Sequence, residues 1–373
     1  MEIEVIPVHA STRLPALARA NGAVTTSSIL SQLGKSEGWQ EQSIESDPPS
    51  WRLADGTSIS FEPGGQIEIS SAPHATASSV IEVTRALVDK IRESMSGAAI
   101  DLLTFGVDPY NDIDAVPLQL QRDRYARMTR YFDSIGPSGI RMMRQTAAIQ
   151  VNLERGPEPR ERWTLLNALA PYMVALFAHS RNYAGKPTGH ASFRAHLWRT
   201  LDNSRTGLPW DATEPASRYL AFALDAKAMR SSDGSKPWLS FREWMRVESL
   251  TEQDWLFHLS TLFPEVRPKE FFEIRSPDAI EIGQIAAPVV FATGIVYDDE
   301  STAAALKLLG SPSEGLLERA GQLGMADAAI AKVLPPLIEI ALSGAERLGA
   351  DYIGESHRGV AREYFVRALA AND

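Results

Sequence analysis

Cysteine is absent from all 373 residues. That absence removes disulfides, thiolate metal centres and cysteine nucleophiles together, and it fits a cytoplasmic setting. Positive charge is also in short supply: 37 lysines and arginines face 47 aspartates and glutamates, a formal net charge of −10. Nucleic-acid binders normally carry a basic excess or stripe, so no nucleic-acid partner is expected. Anionic small ligands stay open, because a few local arginines override an average field. Long apolar runs are missing as well. The longest, near 164–178 and 285–297, are broken by Asn167 and Pro171 and by Pro288 and Gly294. Both are too short to span a bilayer and read as buried core, so no membrane partner is expected. The opening MEIEVIPVHA is acidic and strand-like rather than a secretory signal.

Several catalytic motifs are missing too. There is no GxxxxGK[ST] phosphate loop, no GxGxxG fingerprint and no HExxH, and GPSG at 136–139 is not the GxSxG of a serine-hydrolase elbow. The seven histidines are scattered rather than spaced as metal ligands. Any nucleotide site in this chain is therefore of another kind.

What is present is a mixed pattern, 44% apolar and 23% charged, as in a folded globular chain. Period-two alternation predicts strands at 2–8, 51–53, 58–62, 66–70, 100–107, 145–154 and 270–275. Helical spacing predicts helices at about 79–95 (capped by serines), 121–133, 162–178, 240–246 and 251–259. The stretch 181–192 reads as a long irregular loop, and the chain from about 280 onward as helical, with Pro335 and Pro336 starting or kinking a helix. The strongest strands are half polar, whereas parallel sheets covered on both faces give near-continuous apolar strands. An α+β fold with an antiparallel or mixed sheet and one open face follows. A single domain over 1–373 is expected, with 280–373 as its helical C-terminal part.

The polar strand faces carry the chemistry. Glu2 and Glu4 share a face, as do Gln66 and Glu68 with Glu62 just before them, Gln150, Asn152 and Glu154, and Glu273 with Arg275. One reading is a wet outer face, normal for antiparallel sheets. The other is a site, since these faces repeat Glu, Gln, Asn and Arg without a lysine. Clustered carboxylates raise one another's pKa unless a cation sits between them, and Mg²⁺ takes oxygen ligands and is shared with nucleotide phosphates. Amides and arginine would orient phosphate or carboxylate oxygens. Gly64–Gly65 reads either as a tight turn needing positive φ or as a close approach of backbone to a ligand.

Longer stretches then become specific. FEPGGQIEISSAP (61–73) resembles the EPGGQ[FVL]E[LI]S-x-x-P signature of plant-type glutamate–cysteine ligases and their actinobacterial relatives in ergothioneine biosynthesis. MEIEV resembles that family's G-x-E-x-E strand, and MMRQTAAIQVNLE (142–154) its MM-x-R-T-x-x-VQVNLD strand. FAHSRNYAGKPTGHASFRAHLWRTLDNSRTG (177–207), FALDA (222–226) and HLSTLFPEVRPKEFFEIRSPDA (258–279) resemble further segments in register.

The resemblance implies a glutamine-synthetase-like curved antiparallel sheet forming a funnel, with helices outside. It implies an ATP- and Mg²⁺-dependent ligase joining glutamate to cysteine through a γ-glutamyl phosphate, as a monomer or homodimer acting on small molecules. The same acyl-phosphate chemistry on another acid or amine, and a non-catalytic nucleotide- or amino-acid-binding relative, are the alternatives. Carried over by position, Glu2, Glu4, Glu62, Glu68 and Glu273 are the metal carboxylates. Gln66, Arg144, Gln150, Asn152, Arg194 and Trp198 are substrate-binding. Lys186, Arg267 and Arg275 face the nucleotide, and Arg275, Arg205 and Glu68 are catalytic. The sequence departs from the family at Gln145, where an arginine is usual and Arg144 lies one place earlier. By strand alternation Arg144 would share the face of Gln150 and Asn152. Further departures fall at His179, Arg181 and residues 226–229, where the amino-acid substrates are expected. Met1 stands where the family strand has already begun, from which either a start further upstream or a short edge strand is expected.

Overall fold

A computed structural model describes residues 1–19, 24–43, 47–211, 213–231 and 234–370. Alternating segments at the start of the chain form β1 (Glu2–His9), β2 (Gln40–Gln42), β3 (Ser50–Arg52), β4 (Ser58–Phe61), β5 (Ile67–Ser70), β6 (Ile100–Leu103) and β7 (Ile149–Glu154). Short strands follow as β8 (Asn182–Tyr183), β9 (Lys186–Pro187), β10 (Thr206–Gly207), β11 (Phe263–Pro264), β12 (Val266–Pro268) and β13 (Phe271–Ile274). Nine of these build one sheet in the order β12-β13-β7-β1-β5-β4-β3-β2, with β6 beside β1. All its pairings are antiparallel.

The long strand β1 lies at the middle, not at an edge. It pairs with β5, β7 and β6. Its apolar residues Ile3 and Val5 are buried together with Ile67, Ile69, Ile149 and Val151, which sends the intervening polar residues to the opposite face. Helices cover the apolar side. Ala77–Ser96 is capped by Thr76 rather than by a serine, and buries Ile81, Leu87, Val88, Ile91 and Met95. Ala286–Val296 is buried along its whole length and packs on Ala328–Arg347. Among the described residues, Ala328–Arg347 is the one helix long and apolar enough to cross a bilayer. Here Leu334, Leu337, Ile338 and Ala341 on it are buried, and a Cβ on Gly294 would lie 2.1 Å from the Ala341 carbonyl oxygen. Pro335 and Pro336 sit inside this helix instead of starting it.

Three local expectations change. The strand expected at 145–154 is only Ile149–Glu154; residues 137–145 form a helix opened by Pro137, with Ile140 and Met143 on its buried side. Arg144 is in the last turn of that helix, so strand alternation never reaches it. The strand expected at 100–107 stops at Leu103. Finally, the loop at 181–192 contains the β8–β9 hairpin.

The Gly64–Gly65 turn matches the tight-turn reading. Gly65 adopts φ +91°, which requires glycine. Gly64 makes the close approach, but to the chain itself: a Cβ there would sit 1.9 Å from the Arg144 carbonyl oxygen. Gln119 closes the turn from the other side, donating to the Gly64 carbonyl at 2.6 Å and accepting from the Ala18 amide at 2.5 Å. Gly64→Ala is expected to destabilise the fold by about 1–3 kcal/mol through overpacking against rigid backbone, read as a lower urea midpoint with an unchanged slope.

Candidate active site

The polar face of the sheet opens into a cavity with two chemically opposite walls. One wall carries Glu2, Glu4, Glu62 and Glu68; the other carries Arg267, Lys269 and Arg275 around Glu273, and Arg124 also lines the cavity. Strand register makes the acidic wall. Glu4 stands directly opposite Glu68 across β1–β5, while Glu2 is opposite Gln150 across β1–β7. Like charges opposed in this way are destabilising unless something neutralises them.

The surrounding protein does so only in part. Glu4 accepts from the Ala148 amide at 2.8 Å and from Gln150 Nε2 at 3.4 Å. Glu68 Oε1 accepts from Ser60 Oγ at 3.3 Å and Ser70 Oγ at 3.2 Å. Burial, and then repulsion from Glu68, push the Glu4 carboxyl up to about 8. Burial raises Glu62 and Glu68 well above the carboxylate range as well, helped by Glu4 in the first case and by Glu62 and Glu2 in the second. These are acids short of positive charge.

Glu273 is the reverse case. It is fully buried, and burial pushes its carboxyl up, but the Arg275, Arg267 and Lys269 cations outweigh that and hold it well below the ordinary range. Its oxygens accept from Lys269 Nζ at 2.5 Å and Arg275 Nη1 at 2.8 Å, and lie 3.1 Å from Arg267 Nη1. Of the five expected metal carboxylates it is the one already compensated, and it anchors the cationic wall. Gln150 joins the walls, donating to Glu4 and accepting from Arg275 Nη1 at 3.1 Å. The Nε atoms of Arg124, Arg267 and Arg275 are buried without a partner.

Trp198 lines the cavity, edge-on to Phe263. Gln66 also lines it, but its amide is occupied: Oε1 accepts from the Gly64 amide at 3.0 Å and Nε2 donates to the Thr146 carbonyl at 2.8 Å. It locks the turn. Asn152 donates to Glu2 Oε1 at 3.3 Å and lines a neighbouring cleft instead. Arg194 is buried behind the wall, with its guanidinium 4.5 Å from the Trp198 ring centroid.

Three further expected site residues lie away from the cavity. Arg205 is fully buried and bonded to Asp202 and to the Thr261 and Lys227 carbonyls, so its cation is spent inside the fold. Lys186 is exposed on the β8–β9 hairpin and does not line the cavity. Arg144, on its helix, takes its electrostatic neighbours from Asp114, Tyr183 and Asp133 rather than from the cavity.

Sequence reasoning missed Arg124, Tyr125, Met128, Met142, Met143, Lys269 and Phe263, all of which line the cavity. Lys269 carried a signal, four places before Glu273 in KEFFE. Arg124 and the methionines sit on ordinary amphipathic helices and carried none.

Among the described residues no three histidine, aspartate or glutamate side chains already stand at metal-ligand spacing. The donor set nevertheless suits a hard divalent cation. Glu2, Glu4, Glu62 and Glu68 offer only oxygen, and burial together with mutual repulsion pushes three of them toward the protonated form, a cost that a bound cation would offset.

Comparison with known proteins agrees with this geometry. A family model, glutamate-cysteine ligase family 2, matches residues 1–324. The chain belongs to that family. It is 33% identical over 307 residues to glutamate–cysteine ligase EgtA of Mycolicibacterium smegmatis, covering 78% of this chain and 71% of that one. It is 35% identical over 261 residues to the chloroplastic glutamate–cysteine ligase A of Oryza sativa subsp. japonica, and 31% over 316 residues to the chloroplastic enzyme of Arabidopsis thaliana. These matches cover 65% and 78% of this chain but only 53% and 60% of the plant ones. In fold, it superposes on a crystal structure of glutamate–cysteine ligase from Francisella tularensis in complex with AMP, with a TM-score of 0.52 at 11% identity. That match covers 100% of this chain and 82% of the other.

For this family member, the departures read from sequence do not cluster at the cavity. Gln145 is buried and bonded to the Asn111 carbonyl and the Tyr183 hydroxyl. His179 stacks on Phe105, Arg181 lines a separate outer pocket, and residues 226–229 line neither. These departures lie outside the lining of the cavity.

The raised carboxyls set a pH dependence. Above the ordinary carboxylate range, up to about pH 7 for Glu62 and about pH 8 for Glu4 and Glu68, the folded chain holds protons that the unfolded chain has released. Stability without divalent metal therefore falls as pH rises through that window. Adding Mg²⁺ is expected to raise Tm more at pH 8 than at pH 6, because the ligand form is the deprotonated one. A Tm increment independent of pH, measured by scanning calorimetry, would refute the acidic wall as the cation site.

Proposed function

We propose that the chain, as a single catalytic domain, joins the γ-carboxylate of glutamate to the amine of cysteine at the expense of ATP. The observation that carries this reading is the cavity with a cation-hungry acidic wall facing a cationic wall, the two tied by Gln150. It is supported by membership of glutamate-cysteine ligase family 2.

The reaction has two displacements. A glutamate γ-carboxylate oxygen attacks the terminal phosphorus of ATP and ADP leaves, giving an acyl phosphate. The amine nitrogen then attacks the acyl carbon, phosphate leaves, and the nitrogen gives up a proton to form the amide. Arg124, Arg267, Lys269 and Arg275 are suited to the charge that gathers on the transferring phosphoryl oxygens. Glu273 keeps Arg275, Arg267 and Lys269 aligned. Glu2, Glu4, Glu62 and Glu68 would hold Mg²⁺, which when bound neutralises the phosphate chain and polarises its oxygens.

A second, larger cleft meets the cavity at Glu2 and is lined by Val80, Val151, Leu153, Val289, Tyr297 and Tyr352 among others. Its apolar and aromatic lining suits a nucleoside, whose phosphates would then pass Glu2 on the way to the cations. In the cavity, Met128, Met142, Met143, Tyr125 and Phe263 give an uncharged wall against which a small acceptor side chain fits.

Phosphate release with ATP and Mg²⁺ across a panel of amino acids tests the reading. Release is expected to require glutamate and to be stimulated most by cysteine. A different required pair would reassign the substrates while keeping the chemistry, and no release with any pair would remove catalysis. Glu68→Gln is expected to lower kcat by about a hundredfold or more while folding normally, since it takes one carboxylate out of a repelling cluster. Near-normal kcat in that variant would defeat the role given to the acidic wall.

A further inference from the structure

Behind the cationic wall lies a buried acid that the chemistry above does not use. Asp278 is 1% exposed and takes three hydrogen bonds and one ion pair from two segments of chain. Its Oδ2 accepts from the His179 amide at 2.8 Å and from Ser180 Oγ at 2.7 Å. Its Oδ1 accepts from Ser192 Oγ at 3.0 Å and lies 3.7 Å from Arg194 Nη1. Ser192 is itself the N-cap of the helix Phe193–Leu201, which carries Arg194 and Trp198. No spare room surrounds the acid: a Cβ on Gly106 would lie 2.3 Å from its carboxyl carbon.

Arg194 passes this anchoring on to the site. Its guanidinium donates to the Arg275 carbonyl at 2.8 Å and to the Ser276 carbonyl at 3.3 Å, and lies over Trp198. Arg275 and Trp198 both line the cavity. Arg194 thus holds the backbone of one cavity residue and the ring of another without lining the cavity itself. A guanidinium can span two adjacent carbonyls while pairing with a carboxylate; an ammonium, a point charge on a flexible stem, cannot hold that planar arrangement. The Gly106 contact and the capping of Phe193–Leu201 fix Asp278 from the far side, so the chain of contacts has one rigid end.

We propose that Asp278 and Arg194 are positioning residues that set where the Arg275 guanidinium meets the phosphoryl group. This rests on the function proposed above. Removing the anchor leaves the acidic wall intact and shifts the cationic wall. A misplacement of about 1 Å in such a group costs roughly a hundredfold in rate.

The test uses the full chain carrying Asp278→Asn and, because that change risks the fold, Arg194→Lys as a second variant. Each is expected to lower kcat tenfold to a hundredfold with little change in the KM for glutamate, and to keep the Mg²⁺-dependent rise in Tm. Titration with pyrophosphate in the absence of divalent metal reads the cationic wall without turnover, and each variant is expected to bind it about tenfold more weakly. Wild-type kcat in a folded Arg194→Lys protein would overturn the proposal, as would pyrophosphate affinity equal to wild type in both variants. Loss of the Mg²⁺ response together with kcat would overturn it as well, by showing general disruption. If the unaltered chain turns over no substrate pair, the proposed function falls, and pyrophosphate binding still decides the anchor.

Discussion

Everything at this site follows from one forced juxtaposition, Glu4 opposite Glu68 on neighbouring strands, with Glu2 and Glu62 close by. The register is not free to relieve it. Slipping β1 by one residue would carry Ile3 and Val5 out of the core and bring the glutamates in, an exchange the apolar face forbids. Hydrophobic burial on one side of the sheet therefore holds electrostatic repulsion on the other. A polypeptide gains nothing from such repulsion alone, and its cost disappears when a divalent cation is supplied with the substrate.

The opposite wall obeys the same rule with the signs exchanged. Three cations converge on Glu273, and the crowding of positive charge is relieved by one carboxylate where several would be needed. Burial, then the neighbouring Arg275 charge, bring Arg267 down to about 10. Each wall is thus incomplete in the direction that a metal-bound, negatively charged phosphate chain would complete. Gln150, neutral, is bonded to both walls.

Much of this was readable from the residues. Strands β5 and β7 and the start of β1 have clean period-two alternation, and the family-like FFEIR segment marks β13, so Glu2, Glu4, Glu68, Gln150, Glu273 and Arg275 were visible in advance. The helix Pro137–Gln145 was not, because its neighbours in sequence continue smoothly into β7 and the junction hides the change of period. Arg144 was misplaced for that reason. Arg205 and Lys186 lie off the cavity for another reason: a motif position says that a cation is needed, but not whether the fold or the ligand needs it. Only the partners decide, and Arg205 spends its donors on Asp202, Thr261 and Lys227. Arg124 and the cavity methionines were invisible because a helix face toward a cavity has the same pattern as one toward a core.

The clamp of Gly64 against the Arg144 carbonyl has a consequence for redesign. The helix holding that carbonyl also carries Met142 and Met143, which line the cavity where an acceptor side chain would rest. The turn holding Gly64 lies between Glu62 and Glu68. Selectivity for the acceptor and spacing of the acids are therefore mechanically geared together: a bulkier residue that shifts the helix also shifts the turn. Altering the acceptor without disturbing the acids would be easier through Met128 or Phe263, which reach the same space from elements outside that clamp.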